Sequence, residues 1–116
     1  MTNETRQRLL DVVLSRRAIG RYTAGLDFAA YDRDDMVRDA VERRLGIIGE
    51  ALNRAAVLEP GLIDRIPELR QIVGLRNRVI HGYDAVDAEI VWDVVVNKLP
   101  FLGSRVEDLL QVEDQS

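Results

Sequence analysis

Cysteine is absent from this sequence. That excludes a disulfide framework and thiolate chemistry, and with a single histidine it argues against a structural zinc centre. No apolar run approaches the roughly 20 residues that a membrane-spanning helix needs. The first eight residues are polar and no apolar signal region follows them, so a cytoplasmic location is expected. Lysine is nearly absent too: Lys98 is the exception among 16 basic residues, the rest being arginine. Arginine binds phosphate through a bidentate fork, although genomic base composition produces the same bias. Strong net basicity is missing. The formal charge is −4, which does not advertise nucleic-acid binding. The charge is unevenly spread: residues 1–78 carry 14 basic and 12 acidic side chains, residues 79–116 carry 2 and 8. A modest basic region is therefore available to guide a polyanion, with the acidic tail facing elsewhere.

What is present is the composition of a folded chain, with 47% hydrophobic and 31% charged residues, globular and not disordered. The length suits one domain, residues 1–116, and there is no internal repeat, low-complexity segment or linker. Thr2 or Asn3 can cap a first helix, with Glu4 in its first turn. Leu9, Leu10, Val13, Leu14, Ile19 and Tyr22 follow at roughly helical spacing. Arg16, Arg17 and Arg21 cluster on this element as a solvated face, and Gly25 ends it. Residues 27–35 are expected to turn, and Asp34 or Asp35 caps a long second helix with Met36, Val37, Val41, Leu45, Ile48, Leu52 and Ala56 on its apolar face. Gly46 and Gly49 lie inside that helix at a cost of up to about 1 kcal/mol each against alanine, so close approach by another helix is the reason to expect. Glu50 is either a partner for an arginine such as Arg76 or a surface charge.

Pro60-Gly61 breaks the helix. A short turn over 62–66 leads to Pro67, expected at the first position of the next helix with Glu68 in its first turn. Leu69, Ile72, Val73, Leu75, Val79 and Ile80 form that helix's core stripe, and Arg76 projects from the middle of it. Arg70, Gly74, Asn77 and His81 lie on the opposite side, kept low by Gly74, which would let a partner helix come close and put His81 on a dimer seam while Arg76 approaches from the core side. Asp87 is expected to cap a last helix bearing Ile90, Val91, Val94, Val95, Leu99 and Leu102, kinked or broken at Pro100. Val106, Leu109, Leu110 and Val112 support an amphipathic end. Trp92 suits a core or interface anchor better than a base-stacking platform. Val94-Val95-Val96 is read as helix, because the apolar spacing around it is helical and no pairing strand is evident. The fold class is all-α: an antiparallel bundle of four main helices, five at most.

The chain is organised around Leu75-Arg76-Asn77-Arg78-Val79-Ile80-His81-Gly82-Tyr83, which holds the lone histidine. Guanidinium, amide, imidazole and phenol, all able to act on a phosphate or hydroxyl, fall within eight residues. A plainer reading has the histidine capping the helix end and Gly82 stopping it. At about 100° per residue, Arg76 and Tyr83 lie within roughly 20° of each other, Asn77 and His81 within about 40°, and Arg76 and His81 about 140° apart. One straight helix does not aim both at one phosphate unless the arginine stem curls round or the helix end unwinds. A second copy related by a twofold axis could supply the missing group, which suggests a composite site between two chains.

With these residues in view, the sequence resembles the HepT-like toxins of the HEPN superfamily, the ribonuclease half of the MntA–HepT type of toxin–antitoxin pair. The resemblance covers nearly the whole chain. It rests on Arg21-Tyr22-Thr23-Ala24-Gly25, on Leu45-Gly46-Ile47-Ile48-Gly49-Glu50-Ala51, and on Gly74-Leu75-Arg76-Asn77-Arg78 with His81-Gly82-Tyr83, which match the family's R-x4-H-x-Y pattern in full. Trp92 and Leu99-Pro100 also fall where the family places them. The resemblance implies a HEPN-like homodimer with two facing motifs, RNA as substrate, and cleavage without metal or cofactor. It implies a partner, a minimal nucleotidyltransferase antitoxin (MntA-like), that transfers AMP to the motif tyrosine, here Tyr83. The residues suit that chemistry. His81 titrates near neutrality and can move the proton of a 2′-hydroxyl. Arg76 can stabilise charge on the phosphorane-like transition state, and Asn77 can orient the histidine or a phosphate oxygen. Two alternatives remain open: a non-catalytic nucleotide-binding or companion subunit of a nucleotidyltransferase, and a plain dimeric adaptor.

Overall fold

The computed structural model describes residues 1–81 and 87–115, with backbone only for 79–81 and 113–115. Four long helical runs are present: α1 (Asn3–Thr23), α3 (Asp35–Leu58), α5 (Leu69–His81), and a final run made of α6 (Ala88–Asp93), a π turn (Val94–Lys98) and α7 (Leu99–Gln115). Two short helices join them, α2 (Phe28–Asp32) and α4 (Leu62–Arg65). No strand occurs among the described residues. The valine run 94–96 is helical, as its surroundings require.

The helix starts follow side-chain capping. Thr2 Oγ1 accepts the Thr5 N–H at 3.1 Å, Asp34 Oδ1 that of Val37 at 3.1 Å and Asp87 Oδ1 that of Glu89 at 2.9 Å. Each satisfies one of the donors that a helix start leaves orphaned. Gly25, at φ +76°, takes the left-handed conformation that ends α1, where a side chain would be strained.

The expected turn over 27–35 contains a helix. Asp27 Oδ1 accepts the Ala30 N–H at 2.8 Å and starts α2, whose five residues bury Tyr31. Tyr31 packs against Trp92 with ring centroids 5.0 Å apart and planes tilted by 32°, tying α2 to α6 and making Trp92 the anchor its bulk suggested. Pro67 does not open α5. It holds Ile66 in an extended conformation (φ −124°, ψ 84°), as the residue before a proline prefers. The Leu69 N–H then closes a turn on the Ile66 carbonyl at 3.0 Å before the helix begins at Leu69. Nor does Pro100 break the last helix. The π turn just before it widens the backbone, so the Leu99 N–H reaches back to the Val94 carbonyl. That relieves the clash a proline ring makes with the carbonyl four residues earlier.

The core runs through all four long elements: Leu9, Val12 and Ile19 from α1, Val41, Leu45, Ile48 and Leu52 from α3, Leu69, Ile72 and Leu75 from α5, and Val91, Val94, Leu99, Leu102 and Val106 from the last run. Burying such side chains contributes on the order of 1.5–3 kcal/mol apiece against exposure. Helix α3 sits at the centre, packing on α1 along one side and on α5 along the other.

Candidate active site

Arg76 belongs to the α3–α5 seam. Gly49 of α3 lies directly beneath it: a methyl group at position 49 would sit 2.7 Å from Arg76 Cγ, closer still to its Cβ, and 3.4 Å from the Ile72 carbonyl oxygen. The arginine stem crosses α3 in the space left by the missing side chain. Of the two glycines expected to allow helix approach, Gly49 does so; Gly46 has nothing within 4 Å. Glu50, expected as either an arginine partner or a surface charge, is a surface charge: it is exposed and makes no ion pair with Arg76. The residue beside it, glycine and uncharged, is what positions the guanidinium.

Arg76 Nη1 donates to Asn77 Oδ1 at 2.9 Å, so two of the expected site residues are brought together. Arg76 Nε is buried and has no hydrogen-bond partner among the described residues. A buried donor of a charged group without an acceptor is costly, and an anion is the natural acceptor for it. His81 is the last residue of α5; its side chain lies outside the described residues, as do Gly82, Tyr83 and the loop 84–86. The arginine clusters sort themselves differently. Arg17 pairs with Glu107 at 3.2 Å, Arg54 with Glu4 at 3.0 Å and Arg105 with Glu68 at 3.2 Å, while Arg16 lays its guanidinium across Gly103 of α7.

On the outer side of α5, turned away from the Arg76 stem, runs a groove of about 250 Å³ lined by Arg70, Gln71, Gly74, Leu75, Arg78, Ile90 and Val94. Among the described residues it carries no carboxylate. Three other clefts of about 300–440 Å³ do: Glu89 and Asp93 in one, Glu107 in the second, and Asp32, Asp39 and Glu42 in the third. The acidic third cleft holds two displaced titrations. Burial, then the charge of Glu42, pushes Tyr31 up to about 12, with Arg38 opposing. Burial, then Asp39, raises Glu42 above the ordinary carboxylate range, again with Arg38 opposing. An anion would be repelled there and favoured along α5.

The family model for HepT-like ribonucleases matches residues 15–109. The chain belongs to that family. Three relatives fit the assignment over most of their own length. A Methanocaldococcus jannaschii protein provisionally designated an RNase is 29% identical over 110 residues, 93% of this chain and 88% of its own. A second from that organism, similarly designated, is 31% identical over 85% of this chain and 90% of its own. A Thermococcus cleftensis protein provisionally designated ribonuclease HepT is 30% identical over 94% and 98%. No solved structure matches the chain at a significant level. The matched span of this HepT-like chain includes the whole of α5 and the Gly49–Arg76 crossing. Gly49's part in positioning the arginine was signalled in the sequence only as a mid-helix glycine that invites another helix to come close, without saying which residue crosses there.

Proposed function

We propose that this HepT-like protein is the toxin of a toxin–antitoxin pair: a metal-independent endoribonuclease whose site is assembled across a homodimer from the Arg76-Asn77-x3-His81 segments of both chains. The observation that carries the reading is the Arg76 guanidinium, fixed at its stem by Gly49, held at Nη1 by Asn77, and left with a buried Nε donor that no described protein atom accepts. A cation preset in this way stabilises a developing anion without reorganising during the reaction.

In the proposed reaction the 2′-hydroxyl oxygen attacks the adjacent phosphorus while His81 takes its proton. The P–O5′ bond breaks, and the partner's histidine returns a proton to the departing 5′-oxygen. The products are a 2′,3′-cyclic phosphate and a 5′-hydroxyl end. Arg76 carries the extra negative charge of the five-coordinate state, and Asn77 holds the guanidinium in place. Neutralisation occurs at Tyr83: its phenolic oxygen attacks the α-phosphorus of ATP on a minimal nucleotidyltransferase antitoxin, forming the AMP ester and releasing pyrophosphate. The added bulk and negative charge then exclude RNA from the site.

The test is RNA integrity with purified wild type, His81→Ala and Arg76→Ala in the presence of EDTA. Wild type should cut and both variants should lose at least a hundredfold. Equal cutting by wild type and His81→Ala, or none by unmodified wild type, defeats the reading. Sedimentation should show a dimer at micromolar concentration. Intact mass of protein made with its genomic neighbour should exceed that of protein made alone by whole AMP units, and Tyr83→Phe should abolish the increment.

A further inference from the structure

Arg70, Gly74 and Arg78 are spaced by four along α5, so they follow one another up the same side of the helix with a drift of about 40° per step. All three are exposed. Neither arginine makes an ion pair among the described residues, whereas Arg17, Arg38, Arg54 and Arg105 all do. Between them Gly74 leaves an open floor, with nothing within 4 Å of where a Cβ would stand. Glycine in mid-helix costs about 1 kcal/mol against alanine, and no packing among the described residues accounts for it here. The far wall is apolar: Ile90, 41% exposed, and Val94, buried. The groove leads towards the candidate site. Arg70 and His81 lie eleven residues apart, about 16 Å along the axis and only about 20° around it, and Arg78 precedes His81 by roughly 4.5 Å.

We infer that this groove is the path of the RNA strand on one side of the scissile phosphate. Arg70 and Arg78 each hold a non-scissile phosphate, Gly74 admits the backbone between them, and Ile90 faces the sugars and bases. The inference rests on the ribonuclease reading for the identity of the polyanion. Three features favour a single strand over a second copy of the chain as occupant. The groove carries two arginines about 12 Å apart along the helix with no ion pair among the described residues, its described lining has no carboxylate, and its apolar wall is narrow. Two like charges placed face to face across a twofold axis would repel; a phosphodiester chain satisfies both. A strand held by backbone phosphates and apolar contacts is bound with little regard to sequence.

The experiment separates binding from cutting. The probe is a fluorescein-labelled oligoribonucleotide of mixed sequence, 2′-O-methylated so that no internal nucleophile remains, and the readout is anisotropy across a salt series. Wild type should bind with a steep salt dependence. The Arg70→Gln/Arg78→Gln double variant should bind at least tenfold more weakly, its log–log salt slope shallower by about 1.4, two phosphates at roughly 0.7 each for a single strand. Arg33→Gln, an exposed arginine at the end of α2, should leave both unchanged. Gly74→Phe should fold, since its side chain has open space, and should weaken binding by filling the floor. Unchanged affinity and slope in the double variant overturn the inference, as does wild type that fails to bind the probe. So does Gly74→Phe converting a dimer to a monomer in sedimentation, because the face would then belong to a second copy. If His81→Ala is inert while the double variant cuts with wild-type KM, the groove fails and the ribonuclease stands. If His81→Ala cuts RNA like wild type while the salt slopes behave as expected, the reverse holds.

Discussion

Gly49→Ala is the sharpest test of how the fold sets the guanidinium. The new methyl would meet Arg76 Cγ at 2.7 Å and the Ile72 carbonyl at 3.4 Å, against an ordinary carbon–carbon contact of about 3.5–4.0 Å. The obstructing atoms belong to the root of the arginine and to backbone, so a rotamer change does not clear them; α5 must move away from α3 by on the order of 1 Å. Overpacking of this kind costs typically 1–3 kcal/mol, offset by up to about 1 kcal/mol of improved helix propensity. The expected net loss is about 1 kcal/mol, or about 4 °C in Tm for a chain of this size. The loss of activity should be larger, because a 1 Å misplacement of a group that stabilises charge can cost about a hundredfold. Gly46→Ala is the internal control: nothing lies within 4 Å of it, so the propensity gain stands alone and Tm should rise. The two proteins would be compared by thermal melting and by initial rates on one RNA. If Gly49→Ala melts above wild type and cuts as fast, the close crossing does not hold Arg76 and the reasoning fails.

Asp34→Ala should lower stability by about 0.5–2 kcal/mol, because the Val37 N–H loses its acceptor at the start of the central helix; a urea midpoint unchanged from wild type would refute it. Gly103→Ala should be tolerated far better than Gly49→Ala, since the nearest atoms belong to the flexible end of Arg16, Nε at 2.8 Å, and matching Tm losses for the two would contradict this. Glu42 binds its proton more tightly in the folded state than in the unfolded chain, chiefly through burial. Stability therefore falls as pH rises from the ordinary carboxylate range through the raised value, and the gain from Glu42→Gln in urea melts should be larger at pH 7 than at pH 4. Tyr31, pushed up to about 12 from 10.0, puts a second fall at the alkaline end, which Tyr31→Phe should remove from the pH–stability curve.

Three of the four long helical runs were legible from their own start signal and a sustained period, and α5 from its period alone. Thr2, Asp34 and Asp87 cap where the sequence places them, and Gly25 ends α1 with a left-handed backbone. Helix α2 escaped because five residues are too few for periodicity to show, although Asp27 is as good a cap as the other two aspartates. Met36, 83% exposed, and Leu14, 57% exposed, kept the helical spacing but lie where no neighbouring element covers them; pattern alone does not reveal which edge of an apolar stripe meets a partner. At the site, the association of Arg76 with its neighbour Asn77 needed only adjacency. The dependence of Arg76 on Gly49 joins residues on two helices, and a glycine announces only that something comes close, not what. Glu50 drew notice because charge suggests charge, whereas the contact that matters is a steric vacancy one residue earlier.

The widened turn before Pro100 leaves a mark in the order of buried side chains. Val91 and Val94 are followed inward by Leu99, Leu102, Val106 and Leu110, a stride of five where the neighbouring strides are three or four. Wound at uniform α pitch, the same residues would turn Lys98 and Arg105 towards the interior and carry Leu99 and Val106 out of it. Losing one residue between positions 94 and 98 would instead preserve which side chains α7 buries, yet return the Pro100 ring to a collision with a carbonyl. The proline and the extra residue thus make a matched pair, and a deletion here is neutral only if position 100 changes with it.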